Sequence, residues 1–393
     1  MDSISEEKMK VALAGLIALG VSSPAKASGP KPHVVEHLTV YQEEGRFAGW
    51  PANHGIWSWG SEILVGFEIG AFRKKDQGHA IDYDKPAEHV LARSLDGGET
   101  WAIERPHGLR PPSGEKVAGV PTGEGGAPLR DSPGGIDFTS PGFALTARMT
   151  SIDAGQSRFY YSLDRGKTWS GPFRLPDFGQ PGTAARTDYL VNGTHDLTMF
   201  LTVAKSNGKE GRVACVRTRD GGKTWALEGF VVPEPDGREY AIMPSSLRLS
   251  NDRILTMVRY RKFIDAFVSD DDGRTWRHLN RPAPATGGNP PSLVKLADGR
   301  LALTYGYRLK PYGIRARLSR DEGKTWGEEI VLRDDGGNWD LGYTRTVQRP
   351  DGKMATVYYY NLDKDGERFI GATIWDPGTS GTGGRTALSA HSK

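Results

Sequence analysis

Short apolar runs that alternate with polar residues recur along this chain, and turns containing Gly or Asp separate them. Alternation of this kind predicts half-buried β-strands, and Asp-Gly turns predict tight hairpins. Six strand pairs have this form: "SWGSEILVGF", "GIDFTSPGFALTARM", "VNGTHDLTMFLTV", "RLSNDRILTMVRY", "KLADGRLALTYGY" and "QRPDGKMATVYYY". No helical period competes with them. The pattern therefore predicts an all-β fold built from repeated hairpin units.

A second repeat, of the form S/T-x-D-x-G-x-T-W, follows five of these six units. Its tryptophans are Trp101, Trp169, Trp225, Trp276 and Trp326, spaced by 68, 56, 51 and 50 residues. That spacing is typical of four-stranded propeller blades. The sixth unit has no motif behind it, and the alternating run from His33 to Gln42 is expected to complete it. We predict a six-bladed β-propeller closed by the N-terminal strand; the Pro- and Gly-rich insert from Ala102 to Gly135 leaves seven blades as the alternative.

Composition narrows the range of functions. The chain has 393 residues, 37% of them hydrophobic and 25% charged, as in ordinary globular proteins. A net charge of +3 without a long basic run gives no reason to expect a nucleic-acid partner. The single cysteine, Cys215, cannot form an internal disulfide, and its apolar surroundings predict a small core residue. Because nucleotide-binding and zinc motifs are absent, we expect no cofactor and no metal site.

The two ends of the chain differ from its middle. Residues 1–27 are interpreted as a signal peptide, with translation starting at Met9, because a lysine, a short apolar run and an A-x-A ending follow that residue. The run is too short to span a bilayer, and no other membrane span is predicted. Residues 33–377 are assigned to the propeller, and residues 378–393 to a disordered tail. We expect an exported monomer, periplasmic or secreted.

The five repeated motifs resemble the Asp boxes of the sialidase superfamily, the BNR-repeat propellers. The resemblance covers about Arg46 to Asn361. Asp and Ser side chains bond the backbone of a turn, Gly permits its unusual conformation, and Trp buries a large ring. In the family these boxes lie away from the catalytic centre. A structural role is therefore expected for the box aspartates, which are Asp96, Asp164, Asp220, Asp271 and Asp321.

Arginines stand near the ends of several predicted hairpins and would point into the central mouth of a propeller. Arginine grips carboxylates with two parallel hydrogen bonds, so a set of them suits an acidic sugar. Ordinary surface ion pairs are the competing interpretation. The candidates for substrate binding are Arg46, Arg148, Arg186, Arg259, Arg308 and Arg345.

The resemblance to sialidases implies roles for some residues, whereas at other positions the sequence departs from the family's pattern. Arg259 and Arg308 look like the second and third arginines of that family, and Tyr343 takes the place of its tyrosine nucleophile. A tyrosine suits an anionic sugar because a carboxylate nucleophile would be repelled. The family's R-I-P motif is missing near Arg46, and serines stand where its glutamate is expected. Candidates for the catalytic acid lie in "KKDQGHAIDYD": they are Asp76, Asp82 and Asp84, and we predict Asp82 as the catalytic one.

Histidines offer a second interpretation. His54 and His79 both fall in the first blade, where the family keeps its acid, and histidine is well suited to proton transfer near neutral pH. His195, in a hairpin turn, is expected to be exposed. Arg with His in place of Glu resembles the rhamnosidases and rhamnose–glucuronate lyases. Three hypotheses follow: an exo-acting, sialidase-like glycoside hydrolase that removes a terminal sugar from an acidic glycan, a histidine-dependent rhamnosidase or lyase, and a non-catalytic glycan-binding propeller.

Overall fold

The computed structural model describes residues 30–118, 120–123 and 125–379. Six antiparallel sheets over this range follow one another as the blades of a propeller, which confirms the predicted all-β, six-bladed fold. The proposed signal peptide lies outside the described residues, as does the proposed tail except for its first two residues. Among the described residues, no helix has the length and apolar character needed to cross a membrane.

The strands alternate in direction from the channel outward within each blade. Blades 1 and 2, with the strand that precedes them, contain β1 (His33–Tyr41), β2 (Arg46–Gly49), helix α1 (Pro51–His54), β3 (Ile56–Trp59), β4 (Glu62–Ala71), β5 (Glu88–Ser94), β6 (Ala102–Glu104), a 3₁₀ turn (His107–Leu109), β7 (Lys116–Val117), β8 (Val120–Pro121), β9 (Ala144–Met149), β10 (Ser157–Ser162) and β11 (Ser170–Arg174).

The remaining four blades follow without a long insertion. They contain β12 (Thr183–Ala184), β13 (Tyr189–Gly193), β14 (Asp196–Val203), β15 (Arg212–Thr218), β16 (Ala226–Phe230), β17 (Ile242–Arg248), β18 (Ile254–Arg259), β19 (Ile264–Ser269), β20 (Arg277–Ala283), β21 (Pro291–Lys295), β22 (Leu301–Tyr307), β23 (Gly313–Ser319), β24 (Ile330–Arg333), β25 (Gly342–Gln348), β26 (Met354–Tyr360) and β27 (Phe369–Asp376).

The N-terminal strand closes the ring, as its alternating pattern predicts. β1 pairs antiparallel with β27 from His33 opposite Asp376 to Tyr41 opposite Ile370, so blade 6 is assembled from both ends of the propeller. Apolar side chains pack between neighbouring sheets. Cys215 is fully buried there, in the core role its sequence predicts, and burial raises the pKa of its thiol.

Blade 2 has three strands, and a neighbouring segment takes the place of the missing inner one. The inner edge of β9 faces helix α1 and Thr187 instead of another strand. Thr146 Oγ1 donates to the carbonyl of His54 at 2.8 Å, and the Ala147 N–H donates to Thr187 Oγ1 at 3.1 Å. Helix α1 thus accepts from a hydroxyl group of blade 2, and Thr187 accepts from a backbone N–H that an inner strand would otherwise pair.

The five S/T-x-D-x-G-x-T-W motifs all form the same turn between the two outer strands of a blade. In the second copy, Asp164 accepts hydrogen bonds from the backbone and hydroxyl of Thr168, and Ser162 Oγ accepts from the Gly166 N–H. The indole of Trp169 donates to the Gly166 carbonyl at 2.9 Å. The Ser, Asp, Thr and Trp side chains of this copy all bond within the turn, as the structural interpretation requires, whereas in the third copy the Trp225 indole nitrogen has no partner among the described residues. The motifs therefore serve the fold.

Candidate active site

The end of the blades opposite these turns carries the candidate site. In blade 4 the motif begins at Ser269, which pairs with Ile254, whereas Arg259 stands at the other end of the same strand. Arg308, Tyr343 and His79 reach the same end from blades 5, 6 and 1. The repeated turns therefore lie at one end of the strands, and the non-repeated residues lie at the other end, around the central mouth.

Tyr343 is the centre of this group. Arg259 Nη1 donates to its hydroxyl at 3.0 Å, and the guanidinium carbons of Arg259 and Arg308 lie 5.5 and 5.3 Å from its ring centre. Burial disfavours ionisation of the phenol, but the positive charges of Arg259, Arg308 and Arg186 outweigh it and hold the pKa of Tyr343 below its ordinary value. The Tyr343 hydroxyl is therefore prepared to carry negative charge.

The backbone turns sharply to present this tyrosine. Tyr343 has φ 51°, and the strand register shifts between Gly342 and Arg345. Asn289 supports the turn by accepting from the Tyr343 N–H at 2.8 Å while donating to the Leu341 carbonyl at 3.0 Å. Trp50 and Met243 adopt the same left-handed conformation at the mouth ends of blades 1 and 4. Strain of this kind in bulky residues re-aims side chains and is typical of functional sites.

No carboxylate accepts a hydrogen bond from Tyr343 within the described part of the chain. The side chain opposite it on blade 4 is Met243, and Arg259 Nη1 lies 3.0 Å from both the Met243 sulfur and the Tyr343 hydroxyl. This differs from the carboxylate-paired tyrosine that the resemblance to sialidases implies, and it corrects the expectation of serines at that place: Ser245 Oγ accepts from the Leu293 N–H, and Ser246 Oγ donates to Asp188. In this protein the arginines, and not a neighbouring base, favour the phenolate.

His79, which is partly exposed, and the buried Asp340 form a dyad beside Tyr343. His79 Nδ1 lies 2.6 Å from Asp340 Oδ1, and its ring packs against those of Trp50, Trp339 and Tyr343. Burial alone would raise the pKa of Asp340, but His79, Arg368 and Arg308 hold it well below its usual range. An ionised carboxylate only accepts, so Nδ1 carries a hydrogen and Nε2 is the nitrogen left for proton transfer.

The other predicted arginines have protein partners. Arg186 Nη2 donates to Glu210 Oε1 at 2.8 Å at the edge of the mouth, and Arg46 lies 3.7 Å from Glu88. Arg345 donates to the carbonyls of Ala52 and Thr187, which anchors helix α1 across the channel. Arg148 donates to the carbonyl of Ala147 and to His89 Nδ1. The structure thus gathers Arg259 and Arg308 directly at Tyr343, with Arg186 nearby.

Three further candidates lie away from Tyr343. His54, at the end of α1, is 1% exposed and packs edge-on against His89, with ring centres 4.8 Å apart. Asp82 is buried in its loop and pairs with Arg73 at 3.1 Å. His195 is exposed, as its place in a hairpin turn predicts, and its Nδ1 lies 3.0 Å from the Ile136 carbonyl. Of the four proposed catalytic residues, Tyr343 and His79 meet at the mouth.

His54 belongs to a second buried polar cluster with Glu68 and His89. Their ligand-type atoms lie within 4.8 Å of one another, the residue set of a two-histidine, one-carboxylate metal site. Arg148 argues against a metal ion, because its Nε–H donates to His89 Nδ1 at 3.0 Å. Neutral His89 then carries its hydrogen on Nε2 and has no lone pair for a metal. A divalent ion would also be repelled by the positive charge of Arg148, because the Glu68 carboxylate alone would have to balance the charges of the ion and of Arg148.

Glu68 in this cluster is expected to make stability depend on pH. Burial raises its pKa to about 8, with Arg148 opposing the shift only in part. A raised folded pKa gives stability that is present below the ordinary carboxyl pKa and is lost as pH rises through about 8. From about pH 5 to about pH 9 we expect a loss on the order of 3 kcal/mol. Glu68→Gln should remove most of that slope in urea unfolding.

Glu88→Gln is the matched control, since Glu88 lies on the adjacent strand and is half-exposed. The control should keep the wild-type slope. A Glu68→Gln protein that still loses the same stability over this pH range would show that another group titrates there.

The residues that the sequence did not reveal are those that hold Tyr343 and His79 in place. Asp340 precedes Tyr343 by three positions in "DLGYTR", and Tyr359 belongs to the apolar run "VYYY". Asn289 and Trp50 have no distinguishing motif. Asp340 alone had a usable signal in the sequence, because it is an acidic residue within three positions of the candidate nucleophile Tyr343.

Comparisons with known proteins agree with this architecture. A sialidase from Bacteroides fragilis (strain YCH46) is 24% identical over 301 residues, which cover 67% of this chain and 52% of that protein; the match thus spans about half the length of that relative. A crystal structure of a protein of unknown function from Dyadobacter fermentans DSM 18053 has a TM-score of 0.68 at 22% identity, over 88% of this chain and 99% of the other.

The NanB sialidase from Streptococcus pneumoniae superposes with a TM-score of 0.57 at 14% identity, over 86% of this chain and 70% of that one. Identities this low show the shared fold. Residues 143–356, more than half of the chain, match the family model described as "BNR repeat-like domain". The resemblance drawn from the five repeated motifs is thereby confirmed, and the chain belongs to the BNR repeat-like family.

Proposed function

We propose that this protein is an exo-acting glycoside hydrolase that removes a terminal acidic sugar from a glycan. The observation that carries the proposal is the pair Arg259 and Arg308. Both are 9% exposed at the mouth, and neither has a carboxylate ion pair among the residues the structure describes. Buried cations without counter-charges are costly, and an anionic ligand would supply what the protein omits.

The surroundings of these arginines suit a sugar ring. Trp339 lies 5.2 Å from the Arg308 guanidinium, and Tyr240 lies 5.5 Å from that of Arg259. Aromatic faces stack on the apolar face of a pyranose, while the guanidinium groups bind its carboxylate in a bidentate manner. Trp50 and Tyr359 pack against the His79 ring, and Phe47 packs against both of them, so the core holds this ring at the mouth.

The roles of the two central residues follow from their partners. Tyr343 Oη attacks the anomeric carbon, and Arg259 stabilises the phenolate. His79 Nε2 donates its proton to the departing glycosidic oxygen, so the bond to the aglycone breaks as the bond to Tyr343 forms. His79 then removes a proton from water, and the water oxygen attacks the anomeric carbon as its bond to Tyr343 breaks; the sugar is released, and the Tyr343 phenolate and protonated His79 are restored. Asp340 keeps the imidazole oriented through both steps.

A lyase acting on a uronate is the second candidate, and one observation favours it: Met243 stands where a carboxylate partner of Tyr343 is expected. In that reaction the arginines would bind the uronate carboxylate, and Tyr343 or His79 would remove the proton beside it. The glycosidic oxygen would leave as the double bond forms. No water is consumed, so the products of the two reactions differ.

The test is to incubate the purified protein with a sialylated oligosaccharide and a rhamnose–glucuronate oligosaccharide side by side. Hydrolysis is expected to release a saturated acidic sugar that takes up oxygen from isotopically labelled water. A lyase would instead produce the ultraviolet absorbance of an unsaturated uronate without such labelling. Turnover of neither substrate, with either bound, would leave a glycan-binding propeller and reject both enzymatic proposals.

A further inference from the structure

A continuous chain of hydrogen bonds joins the anion-binding arginine to the candidate acid. Arg308 Nη2 donates to Tyr359 Oη at 2.7 Å, and Tyr359 Oη donates to Asp340 Oδ1 at 2.8 Å. The same Oδ1 lies 2.6 Å from His79 Nδ1. Tyr359 is fully buried and Asp340 is 1% exposed, so water does not compete for the bonds from Arg308 to Tyr359 and from Tyr359 to Asp340.

The direction of each bond is fixed by chemistry. Arginine can only donate, and a phenol has one hydrogen, so Tyr359 accepts from Arg308 and gives its hydrogen to Asp340. Burial raises the pKa of Tyr359 well above its ordinary value, with Asp340 and Tyr343 adding to the effect of burial against the opposing charge of Arg308. Tyr359 therefore keeps its hydrogen and remains a donor.

Tyr359 and His79 compete for one oxygen. Asp340 Oδ2 is already occupied by the Ala80 N–H and by Arg368 Nε, each at 3.1 Å. Oδ1 is left for Tyr359 and His79. A stronger bond from Tyr359 withdraws charge from Oδ1 and weakens its hold on the imidazole, because bonds in a chain polarise one another.

We propose that Tyr359 is a positioning residue that couples occupation of the Arg308 anion site to the strength of the His79–Asp340 bond. The inference rests on the proposed function for the identity of the anion. A carboxylate bound to Arg308 shares the guanidinium charge and weakens its bond to Tyr359. Tyr359 then becomes a poorer donor, and Asp340 binds the Nδ1 hydrogen of His79 more tightly. The bound acid thus stabilises the protonated imidazole that must donate to the leaving group.

The charged and titratable groups around this chain are few. Asp340 faces His79 directly, Tyr343 and Tyr359 face it through their rings, and Arg368 and Arg308 reach Asp340. Tyr359 itself packs against Phe47 and Tyr343, at ring-centre distances of 6.2 and 5.7 Å. A phenylalanine at position 359 would keep these packing contacts and remove only the hydroxyl.

The test is the position of the His79 Nδ1 proton in the NMR spectrum of the full chain. In Tyr359→Phe, this resonance should move downfield without any ligand, since Oδ1 then serves His79 alone. Adding glucuronate should move it downfield in the wild type and much less in the variant. Tyr358→Phe is the matched control, because Tyr358 is also buried and bonds Thr373 Oγ1 at 2.6 Å. A Tyr359→Phe resonance at the wild-type position would overturn the proposal.

A double-mutant cycle separates the chain of bonds from simple charge effects. Arg308→Gln should also move the resonance, and by at most half as much in the Tyr359→Phe background as in the wild type if Tyr359 transmits the effect. Equal changes in both backgrounds would show that Arg308 acts through space and would reject the coupling. If glucuronate leaves the wild-type resonance unmoved, the anion site of the proposed function fails, whereas the ligand-free comparison still decides the role of Tyr359.

Discussion

Replacing Tyr343 with phenylalanine is expected to lower kcat/KM on an acidic glycoside by roughly 10³-fold or more. The variant keeps the ring against which Arg259 and Arg308 stack, and loses only the oxygen that forms the covalent bond. Steady-state kinetics on the substrate identified by product analysis measures the effect. Alkaline ultraviolet titration gives an independent readout, because the pKa of Tyr343 lies below its ordinary value and its phenolate signal should be absent from the variant.

Tyr358→Phe provides the control for removing one buried hydroxyl from the same blade, and should retain near-wild-type activity. A Tyr343→Phe enzyme that stays within tenfold of the wild type would remove Tyr343 from the nucleophile's role. It would move the proposal toward a reaction in which His79 alone transfers the proton.

Replacing His79 with alanine should lower kcat by roughly 10²- to 10⁴-fold, the contribution usual for a positioned acid or base. KM should change little, since Arg259 and Arg308 hold the carboxylate. Substrates with a good leaving group should lose less than those with a poor one, because they need less help from an acid. Added imidazole should restore part of the activity by entering the space left beside Asp340.

His195→Ala is the comparison, since His195 contacts a backbone carbonyl between blades and lies in a turn of blade 3. A uniform loss across all leaving groups, without rescue by imidazole, would mean that His79 supports the structure of the mouth and does not transfer a proton.

The fold could be predicted from the sequence because its signals are local. Each hairpin and each S/T-x-D-x-G-x-T-W turn is specified within a few residues, and their count gives the blades. The strand that closes the ring could also be predicted, because β1 was the one alternating run that belonged to no predicted hairpin. The predicted strand pair in "GIDFTSPGFALTARM" is wrong for its first half, which forms no strand, because helix α1 of the preceding blade lies along the inner edge of β9 instead.

The site could be predicted only in part, since its pairings are long-range. His79 and Asp340 are 261 residues apart, and no sequence pattern near either residue predicts that they pair. His54 and His79 had similar signals in the sequence, but α1 carries His54 into the boundary between blades while His79 reaches the mouth. Arg345 and Arg308 have similar positions near strand ends in the sequence, but the Arg345 guanidinium donates to the backbone carbonyls of Ala52 and Thr187.

The pairing of β1 with β27 has a consequence for how the molecule is made. During synthesis, β1 must wait for β27 before the ring can close. Until the two strands pair, β1 has an open edge, and an open strand edge can pair with another chain. Two incomplete rings could exchange their first strands and form a swapped dimer. Joining the two ends and opening the chain at a loop between blades would remove that wait, because every blade would then form from continuous sequence.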